Sequence, residues 1–247
     1  MSDVSFGSRK VDPNVKPSLV NDIFTASSEK YDLMNDIMSF GMHRSWKKYI
    51  IKKAKININD KILDLASGSG DLAISIAKKN IIKNKIMAVD PNESMLKIAK
   101  DRAINNGVID RLEFRIATGE DLPFASESFD KIFLSFGFRN FTDHKRSLNE
   151  IFRVLKFGGM FLLLEFSQIS NKALSSFYNF YLNNVIPITG KIIANNFDSY
   201  KYLAESIMNY YDKNRVVEMM HEAKFDNVRY INFCFGAVTL HYGFRTF

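Results

Sequence analysis

The sequence predicts an α/β fold: a doubly wound, mostly parallel seven-stranded sheet with helices on both faces and an antiparallel C-terminal hairpin. Short runs of β-branched and aliphatic residues alternate with helical stretches through the middle of the chain, and this alternation requires crossover connections between parallel strands. Two further runs follow each other directly near the C-terminus, which is typical of a hairpin. With 46% hydrophobic and 25% charged residues, the composition is that of a globular domain.

The predicted elements follow one another in order from residue 61. The strands of the parallel part are KILDLA at 61–66, KIMAVD at 85–90, RLEFRIA at 111–117, FDKIFLSF at 129–136 and MFLLLEF at 160–166. The helices are DLAISIAKKN at 71–80, a helix beginning near Asn92, HKRSLNEIFRVLK at 144–156, a mainly helical segment at 172–210 and a helix at 213–224. The hairpin consists of FDNVRYINF at 225–233 and GAVTLHYGFR at 236–245. This organisation predicts one domain over residues 1–247.

The N-terminal part precedes this alternation and has a different pattern. Residues 1–20 predict a polar, weakly structured arm, because Pro13 and Pro17 interrupt regular structure. From residue 21 to 55, apolar residues recur at helical spacing, which favours short amphipathic helices over strands. We therefore expect a flexible arm followed by a helical cap.

Cysteine, histidine and charge content limit the kind of protein. The single cysteine, Cys234, cannot form an internal disulfide, and the four histidines lack ligand-like spacing, so we expect a reducing compartment and no structural metal. The N-terminus has no apolar signal core, and no apolar run is long enough to span a bilayer. A net charge of +7 is compatible with nucleic acid, with an anionic membrane surface, or with neither.

A glycine-rich turn, LDLASGSGD at 63–71, lies between the first predicted strand of the sheet and the helix that follows. Gly68 and Gly70 permit a tight turn in which a ligand approaches the main chain at a helix N-terminus. A dinucleotide-binding loop offers the same features, and so does an ordinary strand-to-helix turn. The glycines alone therefore do not identify the ligand.

Polar residues at three further strand ends indicate which ligand the glycine-rich turn binds. Asp90 ends the next strand, where a carboxylate accepts hydrogen bonds from both ribose hydroxyls of an adenosine-containing cofactor, or else caps the helix that follows. Thr118, Gly119 and Ser135 fall at the ends of the next two strands, where ligands bind in doubly wound sheets. Asp64 precedes the turn and the full G-x-G-x-x-G pattern is absent, which disfavours a nicotinamide dinucleotide.

Together these stretches resemble the class I S-adenosylmethionine-dependent methyltransferases, and more closely the UbiE-type quinone C-methyltransferases. YDLMNDIMSFGMHRSW at 31–46 is similar to the first signature of that family, and RVLKFGGMFLLLEFS at 153–167 is similar to the second. SFGFRN at 135–140 and NNFDSYKYLAESI at 195–207 also resemble family-typical stretches. The likeness runs from about Phe6 to the C-terminus.

Three positions qualify the resemblance. The second signature departs at Phe157, where the family usually has proline, and this concerns only the local turn. In the glycine turn, Ala66 stands where most methyltransferases have glycine, as it does in this family. Ser69 replaces a usual threonine and keeps the hydroxyl.

The resemblance implies a Rossmann-like methyltransferase fold with S-adenosyl-L-methionine as the cofactor. It implies cofactor binding by Asp64, Gly68, Ser69, Gly70, Asp90, Thr118, Gly119 and Ser135. The implied reaction is methylation of a ring carbon in ubiquinone or menaquinone biosynthesis. The substrate is 2-methoxy-6-polyprenyl-1,4-benzoquinol, demethylmenaquinol, or both, and the sequence leaves this choice open.

An aromatic carbon becomes a good nucleophile when a neighbouring ring hydroxyl loses its proton, and general-base help of this kind is worth on the order of 10²- to 10⁴-fold. We predict four catalytic residues: Arg139 and Asn140 after the fourth strand, and Tyr31 and His43 from the cap. Arg139 would stabilise a phenolate by charge while a water accepts the proton. The alternatives are a structural ion pair between Arg139 and an acid such as Asp143, and a hydrogen-bonded structural role for His43.

Under this interpretation the domain divides into a flexible arm at 1–20, a helical cap at 21–55, a cofactor-binding core at 56–167, a substrate lid at 168–211 and a terminal helix with hairpin at 212–247. The aromatic and aliphatic stretch within the lid is predicted to line a tunnel for an isoprenoid tail, or else to form ordinary helical core. Expected partners are the polyprenyl quinol, an anionic membrane contacted through basic residues, and a second copy or a quinone-biosynthesis complex. The expected location is the cytoplasm, at the inner face of the membrane, or the mitochondrial matrix in a eukaryote.

Three other kinds of protein share parts of this pattern. An amino-directed nucleic-acid methyltransferase would have an Asn- or Asp-Pro-Pro-aromatic turn where this chain has SFGFRN, so no nucleic-acid partner is expected. A non-catalytic relative without cofactor is disfavoured by Ser69, Asp90 and Thr118, and a nicotinamide oxidoreductase by the incomplete glycine pattern. Stabilisation against heat by S-adenosylmethionine or by the nicotinamide cofactor separates these alternatives.

Overall fold

The computed structural model of the chain describes residues 3–28, 31–194 and 196–246. The strands are β1 Val4–Phe6, β2 Arg9–Val11, β3 Ile62–Leu65, β4 Ile86–Asp90, β5 Leu112–Ile116, β6 Phe129–Ser135, β7 Leu155–Phe166, β8 Asp226–Phe233 and β9 Val238–Phe244. The helices are α1 Lys16–Ser27, α2 Tyr31–Ser39, α3 His43–Lys53, α4 Asp71–Ala77, α5 Glu93–Asn105, α6 His144–Val154, α7 Lys172–Phe180, α8 Ile186–Ala194, α9 Phe197–Met208 and α10 Lys213–Glu222. None of the helices in the described ranges is long and apolar enough to cross a bilayer.

A seven-stranded sheet in the order β5-β4-β3-β6-β7-β9-β8 forms the centre of the molecule. The first five strands of that order are parallel, and β9 is antiparallel to both β7 and β8. The predicted doubly wound sheet and C-terminal hairpin are therefore confirmed. The chain enters at β3, winds outward to β5 and then returns to β6, so the strand order reverses between β3 and β6. Open α/β sheets bind ligands at the carboxyl ends of the strands beside such a reversal.

Strand side chains alternate between two hydrophobic cores, one on each face of the sheet. In β6, Phe133 belongs to the core that includes α3, α4 and α9, whereas Ile132 and Leu134 belong to the core that includes α6 and α10. The neighbouring β7 repeats this alternation with Leu162 and Leu163. Because helices cover both faces, the strands are apolar at successive positions, which explains the continuous apolar runs in the sequence.

The N-terminal segment differs from the weakly structured arm predicted for it. β1 and β2 pair as an antiparallel hairpin, and α1 begins at Lys16 with Pro17 in its first turn. Proline is tolerated there because the first helical N–H groups have no intrahelical acceptor and because its fixed φ suits a helix. The hairpin is attached to α9, since Asn209 Nδ2 donates to the Gly7 carbonyl at 2.9 Å and the Ser8 N–H donates to Glu205 at 2.9 Å. Pro17 therefore starts a helix here and does not interrupt one.

The junction between α6 and β7 also differs in detail from the prediction. The helix ends at Val154 and the strand begins directly at Leu155, with a bulge in its pairing to β6. Phe157, the departure from the family signature, lies in this bulged segment and is 56% exposed. The guanidinium of Arg245 lies 4.4 Å from the centre of the Phe157 ring. A cation–π contact therefore holds the phenylalanine that replaces the usual proline.

Candidate cofactor site and active site

A cavity of about 440 Å³ opens at the carboxyl ends of β3, β4, β5 and β6, beside the reversal in strand order. Its volume lies in the range typical of small-molecule sites. On the sheet side it is lined by Ala66, Gly68, Asp90, Pro91, Thr118, Gly119, Phe136, Gly137 and Asn140. The predicted site residues that the structure brings together here are Gly68, Asp90, Thr118, Gly119 and Asn140.

The turn between β3 and α4 presents main chain to the cavity. Gly70 precedes α4 with a φ of 76°, and a Cβ atom there would lie 2.9 Å from the Cβ atom of Ala99 on α5. Ala66 has a φ of 53°, a left-handed conformation that costs a non-glycine residue roughly 1–2 kcal/mol. This conformation explains why most methyltransferases have glycine at this position. The turn is held from the next strand, because the Gly68 N–H donates to Asp90 Oδ2 at 2.8 Å.

Asp90 is one of three acids that line the cavity, together with Glu120 and Asp143. Its Oδ2 accepts from Gly68 and its Oδ1 accepts from the Asn92 N–H at 2.9 Å. Burial raises the pKa of Asp90 to about 6, and the two backbone hydrogen bonds oppose this rise. Each carboxylate oxygen can accept more than one hydrogen bond. Asp90 therefore keeps acceptor capacity for two hydroxyl groups while it fixes the surrounding loops.

Gly119 and Phe141 form a flat wall at one side of the cavity. A Cβ atom on Gly119 would lie 2.3 Å from the Phe141 ring, so the ring lies directly against the glycine main chain. Thr118 precedes this contact and also lines the cavity. A wall made from a peptide unit and an aromatic ring suits the face or edge of a planar heterocycle. This wall and Asp90 line the same cavity.

The N-terminal segment supplies the opposite wall, which the sequence analysis missed. This wall consists of Pro13, Asn14, Pro17, Val20, Asn21 and Phe24. Pro17, Val20, Asn21 and Phe24 are spaced by one, three or four residues and therefore lie on one face of α1. This helical spacing is the sequence pattern that could have indicated the wall. The Asn92 Nδ2 donates to Asn21 Oδ1 at 2.9 Å and to Thr25 Oγ1 at 2.8 Å. Lys16 Nζ donates to the Phe141 carbonyl at 2.7 Å, and burial lowers the pKa of Lys16 to about 8.

Four predicted cofactor-binding residues lie outside the described lining of this cavity: Asp64, Ser69, Gly70 and Ser135. The carboxylate of Asp64 accepts from the Ala73 N–H of α4 at 3.0 Å. The hydroxyl of Ser69 accepts from Arg102 Nη1 at 2.7 Å. The hydroxyl of Ser135 is buried, and no described residue forms a hydrogen bond with it.

Asp64→Asn is expected to change the pH dependence of stability. Burial raises the pKa of Asp64 from 3.8 to about 7. Between about pH 4 and pH 7, that is, between the pKa of Asp64 in the unfolded chain and its pKa in the folded chain, the folded chain keeps a proton that the unfolded chain releases. The free energy of unfolding therefore falls as the pH rises through this window. The variant lacks this titration, so its free energy of unfolding should decrease less from pH 5 to pH 8 in urea titrations. Parallel curves for the variant and the wild type would contradict the assignment.

Arg139 lies in a buried ion pair directly behind the cavity wall. Its Nη1 is 2.9 Å from Glu165 Oε1, and the two side chains are only 5% and 1% exposed. The same guanidinium donates to the carbonyl of Phe136, which lines the cavity, and to Ser206. Burial raises the pKa of Glu165, and the charge of Arg139 opposes this rise. The predicted alternative partner, Asp143, caps α6 instead.

The other catalytic candidates occupy different places. Asn140 lines the cavity, and its Oδ1 accepts from the Tyr202 hydroxyl at 3.0 Å. His43 Nε2 lies 2.9 Å from Asp36 Oδ1, and burial lowers the pKa of His43 while Asp36 opposes this. His43 is not among the described residues that line the cavity. Tyr31 begins α2, and its side chain lies outside the described part of the chain.

An ion-pair network that the sequence analysis missed connects the cap to the glycine turn. Lys47 Nζ of α3 lies 2.8 Å from Oδ2 of Asp71, the first residue of α4. Arg102 of α5 lies 3.5 Å from the other oxygen of Asp71. Among the described residues, no group of three or more His, Cys, Asp or Glu side chains is arranged to hold a metal ion. The two ion pairs of Asp71 join α4 to α3 and to α5.

The sheet order and the reversal between β3 and β6, with a cavity beside that reversal, are those of a class I S-adenosylmethionine-dependent methyltransferase fold. An S-adenosylmethionine-dependent methyltransferase of Thermotoga maritima, described as a possible histamine N-methyltransferase, matches with a TM-score of 0.64 and 18% identity over 91% of this chain and 98% of that chain. A putative methyltransferase of Bacillus halodurans matches with a TM-score of 0.58 and 25% identity over 76% of this chain and 72% of that chain. These likenesses support the fold class.

Sequence comparison is more specific. Residues 12–245 match the model of the ubiE/COQ5 methyltransferase family. Curated relatives named "Ubiquinone/menaquinone biosynthesis C-methyltransferase UbiE" include that of Rickettsia bellii, 43% identical over 99% of this chain and 100% of the relative. The relative of that name from Proteus mirabilis is 42% identical over 97% of this chain and 96% of its own length. The chain therefore belongs to the ubiE/COQ5 methyltransferase family, and it is an S-adenosylmethionine-dependent methyltransferase.

Proposed function

We propose that this methyltransferase acts in ubiquinone or menaquinone biosynthesis and methylates a ring carbon of 2-methoxy-6-polyprenyl-1,4-benzoquinol, of demethylmenaquinol, or of both. The observation that carries the proposal is the similarity over nearly the whole chain to curated relatives whose name states this activity. The chain also covers nearly the full length of those relatives. Similarity restricted to the cofactor-binding half would have supported the cofactor alone.

The cavity is assigned to the cofactor, whose sulfonium supplies an electrophilic methyl group when it is bound. Asp90 would accept hydrogen bonds from the ribose hydroxyls, the main chain at Gly68 would approach the ligand, and Thr118 and Gly119 would border the base. The other four predicted cofactor-binding residues would hold the turns and strand ends around the cofactor in position. Asp64 holds the first turn of α4, Ser69 and Gly70 form the glycine turn, and Ser135 ends the strand beneath it.

The substrate must lose a ring-hydroxyl proton while the cofactor is in place. Arg139 favours the phenolate by its charge, and its pair with Glu165 and its bond to the Phe136 carbonyl fix the guanidinium beside the cavity. A water accepts the hydroxyl proton, and after methyl transfer the ring carbon releases its own hydrogen as a proton, which restores the aromatic ring as a phenolate that is then reprotonated. Asn140 is oriented by the Tyr202 hydroxyl, so its amide N–H groups are placed for a substrate oxygen.

Two residues of the cap complete the proposed catalytic group. The Nδ1 atom of His43 is buried and has no hydrogen-bond partner among the described residues, and a catalytic role requires the bound substrate to bring a hydroxyl to this atom. Tyr31 begins the helix that leads to His43 and belongs to the same family signature. Both residues are expected to influence turnover more than cofactor affinity.

The remaining predictions concern the lipid nature of the substrate. The inward-facing side chains of residues 168–211 would enclose the isoprenoid tail, and basic residues near the N-terminal helices would contact an anionic membrane surface. The other proposed partner is a second copy of the chain or a complex for quinone biosynthesis. The proposed division is into arm, cap, core, lid and terminal hairpin, and the arm consists of β1, β2 and the start of α1.

A methylation assay tests the proposal directly. The chain is incubated with labelled S-adenosylmethionine and short-tailed demethyl-benzoquinol or demethyl-naphthoquinol, and the product is analysed by mass spectrometry. We expect a methyl group on a ring carbon of at least one of the two. A methyl group on oxygen, or no transfer to either quinol by a preparation that binds the cofactor, would overturn the proposal.

A further inference from the structure

The helix formed by α7 and α8 is apolar on two sides, and the described residues of the fold cover one of them. A single π-helical turn, Tyr181–Val185, joins the two helices without a break. On the inward side Leu182 and Ile186 are fully buried, and a Cβ atom on Gly190 would lie 2.2 Å from the Tyr200 ring of α9. A helix in contact with the core normally has polar residues on its opposite side.

Bulky apolar residues occupy that opposite side instead. The exposed stripe consists of Leu174, Phe177, Phe180, Val185, Ile188 and Ile192. These residues recur every three or four positions, with one wider interval at the π-helical turn, so they follow one side of the helix. Phe177 is 74% exposed and Ile192 is 77% exposed. An exposed apolar surface of this length is uncommon in a protein without a partner at that surface.

The apolar surface continues beyond the exposed stripe. Phe40, at the end of α2, is 75% exposed, and its ring stacks on Tyr181 with 5.7 Å between the ring centres. The Tyr181 hydroxyl also donates to the Ile37 carbonyl of α2 at 3.2 Å. The surface thus spans two separate segments of the chain, the lid and the cap, which the fold brings together.

The charges of this segment favour one kind of partner. Between Glu165 and Asp198 the sequence has no acidic residue, and its only charged residues are Lys172 and Lys191, which are both exposed. Lysines beside exposed Phe and Ile match the interface of an anionic bilayer, where cations meet phosphates and apolar side chains enter the acyl region. A two-fold pairing of this surface with a second copy would bring four lysines together without an acid of the same segment.

We propose that the exposed stripe docks on an anionic lipid bilayer, with Phe177 and Ile192 inserted and with Lys172 and Lys191 at the headgroup phosphates. The inference rests on the proposed function in one respect, since a polyprenyl quinol is dissolved in such a bilayer. The same helix packs, through Tyr178 on its inward side, against the core that includes Phe136, and Phe136 lines the cavity. Docking therefore places the lipid on the outer side of a helix whose inner side packs on that core.

Vesicle flotation with the full chain and without any quinol tests the surface by itself. We expect binding to vesicles of phosphatidylcholine with phosphatidylglycerol, weaker binding to phosphatidylcholine alone, and weakening by salt through screening. Phe177→Ser with Ile192→Ser should weaken binding by roughly tenfold or more, because each large apolar side chain contributes on that order when it is buried. Lys172→Gln with Lys191→Gln should weaken binding to the anionic vesicles by about fivefold per lysine.

A matched control removes two isoleucines of similar exposure elsewhere. Ile58→Ser with Ile104→Ser changes side chains that are 53% and 58% exposed near β3 and on α5. The control should float like the wild type, and all variants should keep the wild-type melting temperature and affinity for S-adenosylmethionine. Equal flotation of the stripe variant and the wild type, or no binding of the wild type to anionic vesicles, overturns the proposal.

Two further readouts separate the alternatives. If light scattering shows that the stripe variant converts a dimer to a monomer while its vesicle binding is unchanged, the surface belongs to a second copy and the membrane proposal fails. The flotation assay contains no quinol, so a failure of methyl transfer to the short-tailed quinols would contradict the proposed function without affecting the flotation result. Failure of flotation would equally leave the methyl-transfer result in force.

Discussion

Asp90→Ala is expected to weaken the binding of S-adenosylmethionine by about 100-fold or more. A hydrogen bond to a charged group contributes about 1.5–3 kcal/mol, and two ribose hydroxyls lose their acceptor in this variant. The Gly68 and Asn92 N–H groups lose their acceptor as well, so the glycine turn and the start of α5 are no longer held together. Titration calorimetry on the purified, folded variant gives the dissociation constant.

Two controls make this measurement specific. Asp90→Asn keeps one acceptor oxygen and replaces the other with donors that face backbone N–H groups, so its affinity should fall between those of the wild type and the alanine variant. Asp130→Ala removes an acid whose carboxylate accepts from the Lys61 N–H at the opposite end of the sheet, and it should leave the affinity unchanged. Wild-type affinity in Asp90→Ala would exclude this cavity as the cofactor site.

Glu165→Leu is expected to lower the free energy of unfolding by roughly 3–5 kcal/mol, because it leaves the buried guanidinium of Arg139 without its acid. A loss of this size is a large fraction of the stability of an ordinary domain, about 5–15 kcal/mol. Urea unfolding followed by circular dichroism measures the change. As a comparison, Lys156→Leu breaks a more exposed ion pair, that of Lys156 with Asp130. This change should lower the free energy of unfolding by less than about 1 kcal/mol.

The double variant Arg139→Met with Glu165→Leu separates stability from chemistry. Replacing both members of a buried pair with apolar residues is often neutral, so the double variant should recover most of the stability that Glu165→Leu loses. If Arg139 favours the phenolate, the double variant should bind S-adenosylmethionine normally and transfer almost no methyl. Wild-type turnover in a stable double variant would show that Arg139 serves only the fold.

The strands could be predicted within a few residues because both faces of the sheet are covered, so each strand is a short apolar run. The cavity residues Gly68, Asp90 and Thr118 could be predicted for a related reason, since a polar residue at the end of a parallel strand reaches the same edge as its neighbours. The partner of Arg139 could not be predicted in this way. Glu165 meets it because β7 pairs beside β6, although the acid inside the run MFLLLEF was a visible exception to an apolar strand.

The course of the N-terminus was the hardest part to predict. Proline interrupts a helix interior and also favours a helix start, and local sequence does not separate the two at Pro17. The contacts that hold α1 across the cavity join residues far apart in the chain, Lys16 with Phe141 and Asn21 with Asn92. Such contacts follow from the assembled fold, and the helical spacing on α1 indicates only which side is buried.

The loop after β4 performs two tasks within three residues, and this ties two equilibria together. Asp90 lines the cavity and accepts a hydrogen bond from the Asn92 N–H, and the side-chain amide of Asn92 donates to Thr25 of α1. Ligand binding in the cavity and attachment of α1 to this loop are therefore coupled equilibria. By linkage, each stabilises the other by the same free energy. We therefore expect S-adenosylmethionine bound in this cavity to slow hydrogen exchange at the α1 amides, and any condition that frays α1 to shorten the residence time of the cofactor.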